Sequence, residues 1–402
     1  QPGTYLGQYE IFDFDRSTPG DSLIIEGAVA DSGAVILQYQ ASNDDDNYVF
    51  RLTRASHVYF QHLTFRLLDN TFARAITIID RVNNIGIRNN WFISNHTSSA
   101  NNRGAVIFSN DLAATDLMVE GNVFRNGSHA VHLDFANSCY ESEGIHISHN
   151  RTYNCYSRGI YMIYGKGVVI SDNRLAMSSY SSDYGIYLSS TEEVEIRRNW
   201  ITEASQSSIY LVSVDGSALN KTEVYNNMLA VDDRSGNQLY AASSDFLQVY
   251  HNSIRSNSSG YGLFLTNCDN AEVKNNNIGV VNTNGKAIFV ANASGASIDY
   301  NNYDVVGSTF GRWGNTNVVD LQDWQNTSGQ DPNSLSVDPG FLGPNDPHTE
   351  SVLLNDAGEN LSAFVTIDID GHPRQNPPYI GADEVRIDFS VSSVDAPMDG
   401  CL

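Results

Sequence analysis

Residues 170–173 read Ile-Ser-Asp-Asn, residues 196–199 read Ile-Arg-Arg-Asn, and residues 249–252 read Val-Tyr-His-Asn. In each stretch an asparagine stands three residues after the aliphatic residue that closes a short alternating strand. A repeat of 23 to 32 residues that contains short strands predicts a solenoid. Stacked at one corner of successive coils, the amides would form a hydrogen-bonded structural ladder. The repeating asparagines are Asn90, Asn122, Asn150, Asn173, Asn199, Asn227, Asn252, Asn276 and Asn301.

A second short strand precedes the asparagine of each repeat. Its second and fourth residues are mostly aliphatic and are expected to face inward, so its third residue should face out. A small residue begins most of these strands, which should keep the outer surface beside the third residue open. The outward residues expected from this pattern are Thr77, Ile107, His132, Tyr161, Tyr187, Tyr210, Tyr240, Phe264 and Phe289.

Short strands in every repeat and no helical periodicity predict an all-β chain, a right-handed parallel β-helix over residues 1–305. After Asn301 the repeat stops and the sequence becomes rich in Gly, Asn, Ser and Pro. Because the open end of a solenoid exposes unpaired strand edges, we expect residues 306–386 to form an irregular C-terminal cap, with Trp313 and Trp324 as apolar plugs. Residues 387–402 are expected to link to a further module.

The chain of 402 residues carries 23 Lys and Arg against 47 Asp and Glu, a net charge of −24. This balance disfavours nucleic acid and anionic membrane surfaces, since no basic face is evident in the sequence. No apolar run is long enough to cross a bilayer, and the opening residues suggest a processed or excised module. Cys139 and Cys155 are expected on adjoining loops of one coil, either as a disulfide or as two thiols.

Three segments near the C-terminus follow one another in a distinctive order: Asp338-Pro339-Gly340-Phe341, then residues 368–374 (Asp-Ile-Asp-Gly-His-Pro-Arg), then residues 380–384 (Ile-Gly-Ala-Asp-Glu). This order resembles the end of secreted right-handed β-helix modules in large Bacteroidetes-type surface proteins. The resemblance implies export through the type IX pathway and a position at the cell surface or outside the cell. It implies fold and lineage much more specifically than activity.

The last two segments predict an ionic contact that fastens the final coil. Arg374 is expected to meet Asp383 or Glu384. The alternative is a calcium site at Asp368 and Asp370, although two carboxylates supply fewer oxygens than the six to eight that calcium takes. We therefore expect no cofactor, with calcium as the alternative.

The outward aromatic residues allow two interpretations. Rings in successive coils stabilise a parallel stack, by about 0.5–1.5 kcal/mol per pair. Exposed ring faces also bind the apolar faces of sugars. A series of outward rings in successive coils would give a large apolar surface for such binding. The residues proposed for glycan binding are Tyr161, Tyr184, Tyr187, Tyr210 and Tyr240.

The richest chemistry in the sequence surrounds the first of these rings. Polysaccharide β-elimination needs a cation for the uronate carboxylate, a base and an acid. Arg158 or Lys166 would be the cation. His132 or Lys166 would be the base, and Tyr161 would be the acid. Glycoside hydrolysis needs two carboxylates, for which the sequence offers Asp134 and Asp183. The paired-aspartate pattern of polygalacturonase-like hydrolases is absent.

Three functions follow from this reading. The first is a secreted or cell-surface module that binds or adheres to carbohydrate, with an extracellular polysaccharide or cell-surface glycan as partner and a neutral glycan favoured. The second is a polysaccharide lyase or glycoside hydrolase acting at the aromatic face. The third is a structural stalk.

Overall fold

The computed structural model describes residues 1–14, 20–27, 32–136, 142–178 and 183–385. Over these ranges the chain winds into the predicted right-handed parallel β-helix. Each coil contributes up to three strands, and each strand pairs in parallel with its equivalent in the next coil. The coils therefore stack into three faces, called A, B and C here in the order in which the chain visits them after each asparagine.

Face A follows the asparagine corner and is a sheet of twelve strands within the described residues. Its strands pair in chain order, so neighbouring coils are neighbours in the sheet. They are Gly3–Leu6, Val35–Tyr39, Thr64–Leu67, Trp91–Ile93, Val123–Arg125, Arg151–Cys155, Arg174–Met177, Trp200–Thr202, Met228–Arg234, Ser253–Ser258, Asn277–Val280 and Asn302–Val305.

Faces B and C make up the rest of each coil. The strands of face B are Tyr9–Phe14, His129–Phe135, Arg158–Ile163, Tyr184–Ser189, Ser207–Val212, Leu239–Ala242, Tyr261–Thr266, Lys286–Ala291 and Gly311–Trp313. Those of face C are Leu23–Glu26, Ile145–Ser148, Val168–Ser171, Glu195–Arg197, Thr222–Tyr225, Leu247–Tyr250, Glu272–Lys274 and Ser297–Asp299. Phe50–Gln61, Ile76–Arg88 and Ala105–Glu120 run through both faces and bend at residues with positive φ such as Arg54 and Asp80.

The interior is one continuous apolar core. Aliphatic side chains from the three faces fill most coils, and a short stack of Phe65, Phe92 and Phe124 fills the early ones, with ring centroids 4.9 Å apart. The small residues that begin the face B strands point into this core. A Cβ on Gly159 would lie 2.6 Å from the carbonyl oxygen of Gly185 and 3.2 Å from Leu175. The expectation that they open the outer surface is therefore wrong: they let face B approach face A.

The asparagines form the expected ladder at the corner between faces C and A. Asn199 shows the pattern: its Nδ2 donates to the Oδ1 of Asn227 (3.0 Å) and to the carbonyl oxygen of Ile170 (2.9 Å). Its Oδ1 accepts from the backbone N–H (3.1 Å) and the Nδ2 (2.9 Å) of Asn173. All nine ladder asparagines are buried. The same bonds repeat from coil to coil, so each amide is satisfied by the coils on either side.

The ladder ends at Ser334 and Asp331. Ser334 stands where the next asparagine would be, and its hydroxyl accepts the backbone N–H of Asn301 at 2.8 Å, while Asp331 takes the side-chain amide. The carboxylate of Asp331 accepts from the Nδ2 of Asn301 (3.1 Å), the indole of Trp324 (2.6 Å) and the hydroxyl of Ser334 (2.5 Å). Trp324 is fully buried and packs edge-on against Trp313. It belongs to an α-helix, Leu321–Ser328, capped by the side chain of Asp320, which the sequence analysis did not predict. Thr316–Val318 pairs antiparallel with the last face B strand.

No helix among the described residues is long and apolar enough to span a membrane. The described part of the chain also contains 3₁₀ turns at Ser32–Ala34, Asn102–Gly104 and Val352–Leu354.

Beyond the cap, a tail of residues 336–385 runs back along the side of the helix. A hairpin of Phe341–Gly343 and Asp346–Thr349 lies on face A, where the rings of Phe341 and Pro339 cover Gly279. Later residues lie on face C, where Leu361 and Val365 pack against tyrosines of that face.

The predicted contact of Arg374 with Glu384 is confirmed, at 2.9 Å between two side chains that are each 1% exposed. Its expected position is wrong, because Arg374 also bonds to Asn226, three coils before the last. It fastens the tail to the side of the rod, not the final coil.

Candidate functional site

The outward rings of face B form a continuous stack, called the ring column here. Consecutive ring centroids are 4.3–5.2 Å apart. Its first member is Phe108 and not Ile107, because His132 pairs in register with Phe108 while Ile107 is fully buried. The members are Phe108, His132, Tyr161, Tyr187, Tyr210, Tyr240, Phe264 and Phe289.

Stacking determines what the ring column offers to solvent. Adjacent planes are within 7–30° of parallel, so each ring covers the face of the next. The guanidinium of Arg74 covers the first ring at 3.5 Å from the centroid of Phe108. Phe108 and His132 are buried, and the other rings are half-buried. The column therefore presents ring edges and tyrosine hydroxyls, while most of its ring faces are occupied by one another.

His132 is placed as a neutral ring of this stack. Burial, followed by the charges of Arg158 and Arg74, lowers the pKa of His132 to about 3. A general base works best with a pKa near the working pH, so this histidine is a poor base at neutral pH. Its Nδ1 is buried and makes no hydrogen bond among the described residues.

Arg158 lies against the rings beside His132. Its guanidinium is 4.9 Å from the ring centroid of Tyr161 and 5.1 Å from that of Tyr187. One nitrogen donates to the Nε2 of His129 at 3.0 Å, which leaves the His129 Nδ1 as the donor to the hydroxyl of Ser128. The cation is thus held by aromatic rings and an imidazole.

Four tyrosines of the site, Tyr161, Tyr184, Tyr210 and Tyr240, have a raised pKa and are weaker acids than free tyrosine. Burial is the main cause of the raised pKa of Tyr161, Tyr184 and Tyr240, and it raises the pKa of Tyr210 to about 12. Tyr184 packs edge-on against Tyr187 and Tyr210 at 5.2 and 5.1 Å. These hydroxyls remain protonated at neutral pH and can donate hydrogen bonds.

The remaining catalytic candidates do not converge on this point. The Nζ of Lys166 lies beyond the end of its face B strand and pairs with Glu192 and Glu193 at 3.4 and 3.3 Å. Asp134 is near the far end of its strand, where burial, followed by the charge of Asp111, raises its pKa.

Asp183 precedes the start of the face B strand two coils later and is buried. Burial, against hydrogen bonds from Ser205, raises the pKa of Asp183 to about 6. Asp134 and Asp183 therefore lie toward opposite ends of their strands and do not form a pair across a bond.

The two aspartates proposed for calcium are used within the tail. Asp368 is fully buried and its Oδ1 accepts the backbone N–H groups of Asp370 and His372 at 2.9 and 2.7 Å. Asp370 bonds to the Nε2 of His348 at 3.1 Å. Within the described ranges no group of three or more His, Cys, Asp or Glu side chains could hold a metal ion. The calcium site remains a prediction.

Cys139, the other half of the predicted disulfide alternative, lies outside the described residues. Cys155 is a buried free thiol whose Sγ lies 3.2 Å from the carbonyl oxygen of Arg158. Burial raises the pKa of Cys155 to about 12, which keeps the thiol protonated.

A channel that the sequence analysis missed lies at the corner where face B ends. It has a volume of about 890 Å³ and is called the corner channel here. Each coil contributes a Ser or Asn three residues after its ring, with positive φ, and an Asp or Ser two residues later. The lining residues are Ser213, Asp215, Ser243, Asp245, Asn267, Asp269, Asn292, Ala293 and Ser294.

The aspartates of the corner channel are held in register by backbone hydrogen bonds. The Oδ1 of Asp215 accepts the N–H of Asp245 at 3.0 Å, and the Oδ1 of Asp245 accepts that of Asp269 at 2.8 Å. Their Oδ2 atoms make no hydrogen bond within the described part of the chain. Burial, with the nearby charges of Asp245 and Glu192, raises the pKa of Asp215. The signal in the sequence was the spacing ring-x-x-Ser/Asn-x-Asp, repeated over successive coils.

Comparison with known proteins supports the fold. No curated protein sequence matches this chain significantly. Among solved structures, the chain is similar to the A-module of a mannuronan C-5 epimerase from Azotobacter vinelandii, at 13% identity and a TM-score of 0.41, covering 84% of this chain and 90% of that one. A likeness of this degree carries no argument about activity. The family described as the right handed beta helix region matches residues 84–254 and 138–310. Since these ranges span more than half of the residues, the chain belongs to the right-handed β-helix family.

Proposed function

We propose that this chain is a carbohydrate-binding module of a secreted or cell-surface protein, and that it holds a neutral polysaccharide along the corner channel without cleaving it. The observation that carries the proposal is the repetition of the channel lining. One Ser or Asn and one Asp or Ser recur in each of four coils, at a rise of about 4.8 Å per coil. A periodic surface of this kind fits a polymer whose units repeat on a similar scale.

The chemistry of the channel favours sugar hydroxyls. The free carboxylate oxygens of Asp215, Asp245 and Asp269 accept hydrogen bonds from hydroxyl groups, and bonds to charged acceptors are stronger than neutral ones. The amides and hydroxyls at the neighbouring positions both donate and accept. A glycan with its own negative charges would be repelled by the three carboxylates, which selects a neutral one here.

A binding function is favoured over catalysis by the titratable groups of face B. A lyase needs a base near the working pH, and the pKa of His132 is about 3. Lys166, the other candidate base, is paired with two glutamates. A hydrolase needs two carboxylates across one bond, and Asp134 and Asp183 lie toward opposite ends of their strands.

The test is a screen of the 402-residue chain against an array of neutral and acidic glycans, together with an assay for new unsaturated uronate ends. Binding to a neutral polysaccharide should weaken about tenfold or more in Ser243→Ala with Asn267→Ala, because hydrogen bonds at two adjacent coils are lost. The matched control is Ser217→Ala with Asn284→Ala, at exposed positions outside the channel. Turnover that disappears in His132→Ala and Arg158→Ala would establish the enzyme instead. No binding and no turnover would leave a structural stalk.

A further inference from the structure

Face A carries outward side chains of a different kind in the coils that the tail leaves uncovered. Two columns of residues pair in register across these coils. One contains Trp91, Val123, Arg151, Arg174 and Trp200, and the other contains Arg66, Ile93, Arg125, Tyr153, Ala176 and Thr202. Seven of them, Arg66, Trp91, Arg125, Arg151, Tyr153, Arg174 and Trp200, are called the arginine–aromatic surface here.

The arginines of this surface form no ion pair with any carboxylate that the structure describes. Within the described residues no Asp or Glu lies at ion-pair distance from Arg66, Arg125, Arg151 or Arg174, although Arg174 acts on Asp370 at longer range. Neither outward column contains a carboxylate. In a chain of net charge −24, four arginines on one patch, none of them in an ion pair within the described residues, form a local positive field that the overall composition conceals.

Two of the three rings of this surface are open to solvent. Trp91 is 41% exposed and Tyr153 is 45% exposed. The guanidinium of Arg125 lies between them, 5.4 Å from one ring centroid and 5.7 Å from the other. Arg174 lies 4.9 Å from the ring centroid of Trp200. Rings and cations alternate, so each unit of a bound polymer would meet both.

The tail closes one end of the surface and shapes a cavity there. The indole Nε1 of Trp200 donates to the carbonyl oxygen of Asn345 at 2.9 Å. Between Trp200, Arg151, Arg174, Tyr153 and Asn345 lies a cavity of about 250 Å³. From the coil of Arg66 to that of Trp200 the surface spans five steps of about 4.8 Å, roughly 24 Å. It can therefore contact several units of an extended chain.

We infer that the arginine–aromatic surface binds an acidic polysaccharide whose charges are uronate carboxylates. Guanidinium groups bind carboxylates through two parallel hydrogen bonds, and the exposed rings pack against the apolar faces of the sugar rings. This site is distinct from the corner channel and stands whether or not that channel binds a neutral glycan. The arginine–aromatic surface is positively charged and the corner channel is negatively charged, so the two sites would select different glycans.

Nucleic acid is the competing polyanion, because arginines and aromatic rings also hold single strands. Each strand of duplex DNA carries one charge about every 3.4 Å, whereas a uronate polymer carries at most one carboxylate per sugar. The many carboxylates elsewhere on the chain therefore repel a polynucleotide more strongly than a polyuronate. Charge density thus favours the glycan.

The experiment is titration calorimetry of the 402-residue chain with three ligands of similar length: an oligogalacturonate, its fully methyl-esterified form and a single-stranded oligonucleotide. The acid oligomer should bind, the ester should bind about tenfold or more weakly, and affinity should fall as salt rises. Arg125→Gln with Arg151→Gln should weaken binding about tenfold or more. Arg81→Gln with Lys221→Gln removes the same charge elsewhere and should leave binding within about twofold.

Four outcomes would overturn the inference. They are no binding of the acid oligomer at millimolar concentration, equal binding of the ester, tighter binding of the oligonucleotide, or an equal loss in the control variant. Thermal melting of each variant shows that it is folded. None of these outcomes touches binding of a neutral glycan at the corner channel, which a separate titration with a neutral oligosaccharide measures.

Discussion

The ring column and the arginine–aromatic surface are both columns of outward aromatic side chains on a parallel sheet, and they differ in spacing. In the ring column every coil contributes a ring, so the rings stack on one another and their faces are covered. On the arginine–aromatic surface the rings are separated by coils that carry arginine, so Trp91 and Tyr153 remain exposed. An unbroken aromatic column therefore stabilises a β-helix, while an interrupted one leaves room for a ligand.

The largest loss of stability is expected in the asparagine ladder, because this stack is fully buried. It gives a reference for the smaller losses expected in the two aromatic regions. Asn199→Leu removes hydrogen-bond partners from Asn173, Asn227 and Ile170, all at a buried corner. Leaving such groups unpaired costs about 1–3 kcal/mol each, so the free energy of unfolding should fall by roughly 3–5 kcal/mol in chemical denaturation. Asn284→Leu, at an exposed turn, should change it by less than about 0.5 kcal/mol. Equal stability of the two variants would contradict the ladder.

The second test compares the two aromatic columns directly. Tyr187→Ala with Tyr210→Ala breaks three consecutive stacked contacts and should lower the free energy of unfolding by roughly 2–4 kcal/mol. Trp91→Ala with Tyr153→Ala removes exposed rings and should lower it by less than about 1 kcal/mol. Both are measured by denaturant unfolding. If the second pair costs as much as the first, the distinction between a stabilising column and a binding surface fails.

The third test concerns the tail that borders the arginine–aromatic surface. Burial opposes a charge on His348, but Asp370 and Asp346 outweigh it and raise the pKa of His348 to about 9. Because this pKa lies above the unfolded value of 6.5, the stabilisation is complete below pH 6.5 and is lost as pH rises through about 9. We expect a loss of roughly 1–2 kcal/mol between pH 6 and 10, discounted for solvent screening.

The readout for the tail is the fluorescence of Trp200, since the His348 ring lies 5.2 Å from its indole. His348→Gln should remove most of the pH dependence, and His146→Gln, at an exposed position on face C, should retain it. A pH response that is the same in all three proteins would show that His348 does not hold the tail.

The smallest effect is expected inside the ring column. His132→Phe keeps a neutral stacked ring between Phe108 and Tyr161 and removes a buried nitrogen that has no partner among the described residues. The free energy of unfolding should change by less than about 1 kcal/mol. A larger loss would show that His132 has a polar role, which thermal melting would reveal before any binding assay.

The fold was predictable because an asparagine recurs once in each coil and always forms the same buried hydrogen bonds. An asparagine such as Asn173 must satisfy its amide at a buried corner, so its spacing reports the coil length directly. The strand patterns were less reliable where a coil departed from the repeat. Ile107 was placed outward because Ala105 was taken as the small residue that begins the strand. Val106 holds that register position, so Phe108 takes the outward position instead.

The candidate sites were harder to predict, because exposure depends on neighbouring coils and not on the residue itself. The tyrosine at position 187 looks like a binding platform in the sequence, yet its faces are covered by rings 23 and 26 residues away. Arg125 and Arg151 carry no signal in the sequence, because the residues that join them into one surface come from different coils. The return of the tail along faces A and C left no periodic signal at all.

The side-chain amides of the asparagine ladder all have the same orientation along the rod, and the carboxylate of Asp331 lies at the C-terminal end of the ladder. Each ladder amide accepts with its Oδ1 from the preceding coil and donates one N–H to the next, so the amide dipoles have a component that adds along the rod, and the positive end of this component lies at Asn301. A carboxylate is the one acceptor that both satisfies the last donor and opposes the summed dipole. Whole coils can therefore be inserted or deleted between Asn90 and Asn301 without changing the polarity of the array, whereas exchanging Asp331 for a neutral residue would leave the field of the entire stack uncompensated.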